Sequence, residues 1–123
     1  MCGIVGFVSQ GDPSVINIET LRGMAYALNH RGPDESGEFI EDNIALAHKR
    51  LSIIDLKEGQ QPMRSQIGNV IVFNGEIYNY IELKKTLIAK GFIFRTNSDT
   101  EVLLASYEAW GKGCLEKLNG MFS

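Results

Sequence analysis

The sequence predicts a mixed α+β fold. Short apolar strand-like runs and amphipathic helical stretches are interleaved, the helices cluster, and no regular βαβ alternation appears. Neither GxGxxG nor GxxxxGK[ST] occurs, so neither common phosphate loop is present.

The elements follow in order. "GIVGFV" (3–8) is a β-branched apolar run with the composition of a strand, and "QGDPS" is a turn cluster. Between Val15 and His30, Ile18, Leu21, Ala25 and Leu28 recur at helical spacing, with Met24 alongside. "RGPDESG" (31–37) reads as loop, "NIALAH" (43–48) as strand, "RLSIIDL" (50–56) as an interrupted apolar run and "KEGQQPM" as loop. "NVIVFN" (69–74) is the clearest strand, its run of four apolar residues implying burial on both faces. "NYIELKKTLIAKG" (79–91) predicts a helix with Leu83, Leu87 and Ile88 inward and Gly91 as its stop. "FIFRT" reads as a further strand. "SDTE" (98–101) is a capping box, with Ser98 as cap and Glu101 reaching back, opening a helix that ends near Trp110 at Gly111. A short helix over 113–118 follows, and "LNGMFS" reads as a turn entering a strand.

One domain fits 123 residues, and the ordinary balance of 44% hydrophobic and 22% charged residues suits a soluble globular chain. A net charge of −3 gives no footprint for nucleic acid, and no apolar stretch is long enough for a membrane span. No secretory signal is seen. Cys2 and Cys114 lie far apart without CxxC or His spacing, which argues against a disulfide framework or zinc site and fits a reducing cytoplasm.

Eight positions are weighed for chemistry against a plainer reading. Cys2 is a small hydrophobe opening a strand, or a nucleophile. Once Met1 is removed it carries a free α-amine of pKa roughly 7.7–8.0, a base for its own thiol. Asn74-Gly75 is a hairpin turn, or a pair of oxyanion donors in which the Asn amide and a closely approachable Gly N–H act together. Glu76 is an exposed turn carboxylate. Arg50 is a surface arginine, or a bidentate clamp for a substrate carboxylate. Asp99 favours the helix dipole, or receives a substrate ammonium. His30 and His48 could pair with Cys2, but both lie beside apolar elements and read as satisfied core or loop histidines.

At "MCGIVGF", "HRGPDESG", "LAHKRLSIIDL", "GQQPM", "FNGEIYNY" and "SDTEVLLASYEAWG" the chain resembles the glutaminase domain of asparagine synthetases, class II glutamine amidotransferases within the N-terminal nucleophile hydrolases. "RLSIID" after the arginine is the asparagine-synthetase pattern. The resemblance implies a four-layer α-β-β-α sandwich with mainly antiparallel sheets. It implies that residues 1–123 are the N-terminal part of that domain, incomplete at the C-terminus, with the synthetase domain absent.

It also implies the site. Cys2 attacks the glutamine amide, Asn74 and Gly75 form the oxyanion hole, Arg50 holds the α-carboxylate, and Glu76 and Asp99 hold the α-ammonium. Asn74 and the backbone of Leu51 and Ile53 line the pocket, and the loop from Arg31 to Gly37 orders over it. No metal is implied in this chain. ATP and Mg²⁺ belong to the synthetase domain, which receives ammonia through a tunnel to make asparagine from aspartate. The implied partners are glutamine, that synthetase domain and a second copy as a homodimer. As an incomplete domain with Met1 in its sequence, the chain is expected to be weakly active or inactive. Two other readings share the resemblance: a glutaminase serving another acceptor such as a sugar acid, and a non-catalytic glutamine-sensing module. A thiol–histidine protease is a distant further reading.

Overall fold

The computed structural model describes residues 2–51 and 59–123. In chain order it contains β1 (Gly3–Val8), α1 (Ile18–Ala27), β2 (Glu35–Glu41), β3 (Ile44–Arg50), β4 (Met63–Arg64), β5 (Val70–Ile71), β6 (Gly75–Ile77), α2 (Tyr80–Ala89), α3 (Asp99–Trp110) and β7 (Gly120–Phe122), with 3₁₀ turns at Pro13–Val15 and Gly111–Lys117. Among the described residues the strand pairings are antiparallel: a sheet in the order β1-β3-β2, and the ladders β4-β5 and β6-β7. The fold is therefore mixed α+β, as expected.

Alternation along β1 and β3 sets the first layer contact. Val5 lies opposite Ala47 and Phe7 opposite Ala45, and this face packs on Leu21 and Ala25 of α1. Small alanines let the helix approach closely, and Leu21 is fully buried there. Asn17 caps α1, its Oδ1 accepting the Thr20 N–H at 2.7 Å.

The other face of the sheet meets the later half of the chain. Gly37 stands opposite His48, and a Cβ at Gly37 would collide with the Gln61 carbonyl, so only glycine lets that backbone lie on the sheet. Arg64 lies over the Phe39 ring, 5.9 Å from its centroid, and pairs with Glu41. Beyond this contact Phe73 and Ile77 pack with Leu83, Leu87, Val102 and Leu103 of α2 and α3. Helix, sheet, strand ladders and helices thus succeed one another as α-β-β-α.

The helices keep their sequence-read signals. Ser98 caps α3, and Gly111 ends it with φ 57°. Gly91, at φ 93°, closes α2, with its N–H donating to the Ile88 carbonyl and the Phe92 N–H to that of Leu87.

Five expectations need correction. Met24 and Ile88 are 40% and 54% exposed, because the apolar stripes of α1 and α2 centre on Leu21/Ala25 and Leu83/Leu87. The 69–74 strand shrinks to Val70–Ile71 and is half-buried before Phe73, because β4, its partner in the ladder, is only two residues long. "FIFRT" forms no strand: Glu101 accepts the Arg95 and Thr96 N–H groups at 2.9 and 2.7 Å, and Lys84 donates to the Thr96 carbonyl. Glu101 therefore reaches past Ser98, whose N–H turns to Thr96 Oγ1. Finally, Glu35–Gly37, read as loop, opens β2, a largely polar strand recruited by pairing with β3. The interrupted run 50–56 and the start of "KEGQQPM" lie largely outside the described residues.

Candidate active site

Two groups of expected site residues come from different layers. The first gathers at one end of the β1-β3-β2 sheet. Gly3 pairs with Lys49, so Cys2 stands next in register to Arg50, which pairs with Glu35. Cys2 is half-buried, and its carbonyl accepts the Arg31 Nε–H at 3.1 Å. Asp34 donates its N–H to the Arg50 carbonyl. The Arg31–Gly37 segment thereby wraps the Cys2–Arg50 end. Arg50 is no free surface cation: its side chain is 13% exposed and Nη1 donates to Glu35 Oε2 at 3.1 Å. Leu51, just past β3, is half-buried, and Ile53 lies outside the described residues.

The second group is built on β6. Asn74-Gly75 is not a hairpin turn. Asn74 exchanges both backbone hydrogen bonds with Ser123, and Gly75 lies opposite Phe122 in the ladder. In an antiparallel ladder such pairs alternate, so the Gly75 N–H points away from β7. A Cβ at Gly75 would strike the Met121–Phe122 backbone, which explains glycine there. Among the described residues, the Asn74 carboxamide makes no hydrogen bond, and the exposed Glu76 carboxylate has no partner. Asp99 opens α3 and also holds β6, its Oδ2 accepting the Ile77 N–H at 2.9 Å. Both readings of Asp99 are therefore physically open to it: it complements the helix N-terminus and stands beside β6.

Two features bring the groups together. A Cβ at Gly59 would stand 3.6 Å from Ser98 Cβ and 4.0 Å from Arg50 Nη2, so the guanidinium lies near the start of α3. The second is His48, 2% exposed, whose Nε2 lies 3.2 Å from the Phe73 carbonyl. The carbonyl can only accept, so Nε2 carries the hydrogen. His48 is thus the satisfied core histidine expected, yet its bond ties the sheet that Cys2 leads into to the residue before Asn74. No spacing in the sequence pairs positions 48 and 73; an inward position on β3 beside Arg50 is the one local hint.

Burial lowers the His48 pKa from its ordinary 6.5, with the Phe73 carbonyl and Glu35 opposing and Arg50 assisting. The sign follows: with a depressed folded pKa, the stability from neutral His48 is present above about pH 6.5 and lost as pH falls through the folded value. Denaturant midpoints should fall on acidification below about pH 6.5, less steeply in His48→Gln; equal slopes would remove His48 as the cause.

The cysteines now separate. Cys114 is 2% exposed and burial pushes its thiol pKa up, whereas Cys2 keeps part of its surface open. A groove of about 450 Å³ between Met63–Ile67 and Lys90–Thr96 contains none of Cys2, Arg50, Asn74 or Gly75. Among the described residues no group of three or more His, Cys, Asp or Glu is placed to hold a metal ion. No helix among them is long and apolar enough to cross a membrane.

An α+β antiparallel scaffold with a cysteine at position 2 and an Asn-Gly strand start defines an N-terminal-nucleophile type of glutaminase fold. The family model for a glutamine amidotransferase domain matches residues 1–123, and the chain belongs to that family. It is 44% identical over 126 residues to asparagine synthetase [glutamine-hydrolyzing] 1 of Bacillus subtilis, and 41% identical over 124 residues to asparagine synthetase [glutamine-hydrolyzing] of Zea mays. Each match takes in 100% of this chain but only 20% and 21% of the relative, so the chain spans about a fifth of their length. Among solved structures it resembles the glutamine phosphoribosylpyrophosphate amidotransferase of Bacillus subtilis, with TM-score 0.66 and 26% identity over 98% of this chain and 33% of that one.

Proposed function

We propose that this chain is the glutamine-hydrolysing part of an asparagine synthetase, releasing ammonia that a synthetase domain transfers to aspartate. The observation that supports it most is the Gly75 N–H aimed away from its ladder beside an uncommitted Asn74 amide, in a chain whose Cys2 stands directly before its first strand.

In this mechanism Met1 is removed and the Cys2 α-amine takes the thiol proton. Sγ then bonds to the side-chain amide carbon of glutamine, and the oxyanion is stabilised by Asn74 Nδ2 and the Gly75 N–H. The amine returns its proton to the leaving nitrogen, the C–N bond breaks, and ammonia departs from a thioester. Water then attacks the thioester carbon, glutamate leaves, and the thiol re-forms. Arg50, steadied by Glu35, receives the α-carboxylate, and Glu76 and Asp99 receive the α-ammonium; the family resemblance adds Leu51 and Ile53 to the pocket. ATP and Mg²⁺ belong to the synthetase domain, and no step here runs through them. The site lies in the soluble cytoplasmic form of the enzyme, which as a homodimer would carry two such pockets.

The test is product analysis on the natural full-length protein with glutamine, aspartate and Mg-ATP. Equal amounts of glutamate and asparagine are expected. Glutamate without asparagine would instead point to another acceptor, such as a sugar acid. Glutamine binding without glutamate would indicate a sensing module.

A further inference from the structure

Phe73 lies where the backbone leaves one ladder and has not yet joined the next: β5 ends at Ile71 and β6 begins at Gly75. A buried peptide group there still needs partners. Two side chains supply them. Gln61 Oε1 accepts the Phe73 N–H, and His48 Nε2 donates to the Phe73 carbonyl at 3.2 Å. Neither is free to turn away. Gln61 Nε2 donates to Thr100 Oγ1 at 3.4 Å in the first turn of α3, and Gly37 lets the Gln61 backbone lie on the sheet opposite His48.

We propose that His48 and Gln61 are positioning residues that clamp the Phe73 peptide groups and thereby aim the Asn74 and Gly75 donors. The proposal rests on the glutaminase reading and deepens it. The Phe73–Asn74 peptide is planar and is held at both ends, its carbonyl by His48 and its N–H by the Ser123 carbonyl. The next peptide has its carbonyl on the Ser123 N–H, and being trans it points the Gly75 N–H the opposite way. Asp99 fixes the Ile77 N–H two residues on. The strand carrying the oxyanion donors is thus pinned on either side, and His48 ties it to β3, two residues from Arg50 and one strand from Cys2. Because catalysis depends on donor placement to a fraction of an ångström, loosening this clamp lowers kcat without weakening glutamine binding.

The experiment uses the natural full-length protein. His48→Leu is expected to lower kcat for glutamine hydrolysis about 10- to 100-fold with KM within about twofold. His48→Gln, whose amide nitrogen lies as many bonds from Cβ as Nε2 does, should recover kcat to within about fivefold of wild type. Iodoacetamide should alkylate Cys2 at a similar rate in both variants. The inference is overturned if His48→Leu keeps wild-type kcat, if the loss lies wholly in KM, or if Gln recovers no more than Leu.

Should His48→Leu fail to fold, Gln61→Met decides: it removes the acceptor of the Phe73 N–H, and amide exchange at Phe73 should quicken at least about tenfold. Unchanged exchange overturns the clamp. Wild-type protein that is alkylated at Cys2 but never hydrolyses glutamine would overturn the positioning role along with the glutaminase reading, and the Phe73 exchange would still say whether the clamp exists.

Discussion

Replacing Cys2 with alanine is expected to reduce glutamine-dependent ammonia release by more than about 10³-fold, because the sole proposed covalent nucleophile is gone. The protein should keep its fold. Cys2 lies before β1, is half-buried, and contributes to described hydrogen bonding through its carbonyl, which alanine also has. Circular dichroism and denaturant midpoints should therefore match wild type within about 0.5 kcal/mol while ammonia release disappears. A control follows from the same chemistry: retention of Met1, read by intact mass, should abolish turnover as completely, since an amide nitrogen cannot serve as the base. Steady hydrolysis by Met1-retaining protein would refute the α-amine as base, and steady hydrolysis by Cys2→Ala would refute the nucleophile.

Asn74→Ala tests the oxyanion donors. Removing one such donor costs about 10²–10³-fold in kcat. The carboxamide has no hydrogen-bond partner among the described residues, and the Asn74 backbone bonds to Ser123 persist in alanine, so little stability is lost. The expected pattern is a fall in kcat with KM and melting temperature nearly unchanged. An unchanged kcat would return Asn74 to the role of a strand residue. A parallel fall in melting temperature would mean that the side chain supports the fold instead.

Much of this architecture is legible in the chain, for local reasons. Ser98 caps α3 because a short side-chain oxygen satisfies an N–H that the first turn leaves open. Gly91 and Gly111 end helices because they adopt positive φ without a Cβ penalty. Strand β1 and the inward positions Leu21, Leu83 and Leu87 follow from periodicity. The candidate residues could be named from their chemistry and from the resemblance.

Their company could not. "FIFRT" has a strand's composition but no strand beside it, and Glu101 takes the N–H groups a ladder would have used. Glu35–Glu41 has polar composition yet is a strand, because β3 offers it an edge. Asn74-Gly75 carries the strongest hairpin signal, yet it leads into a strand because the distant segment Phe122–Ser123 pairs with it. Arg50 looked like a lone clamp and turned out to be held by Glu35.

By itself, then, the sequence determined the helices, the glycine stops of α2 and α3, the α+β class and the candidate groups for chemistry, since each depends on a residue and its near neighbours. The tertiary structure alone decided which polar segments become strands, which way the Gly75 N–H points, and that His48 holds Phe73. Those outcomes depend on hydrogen-bond partners distant in the chain, and a backbone donor or acceptor without a nearby mate takes whichever one the packing brings.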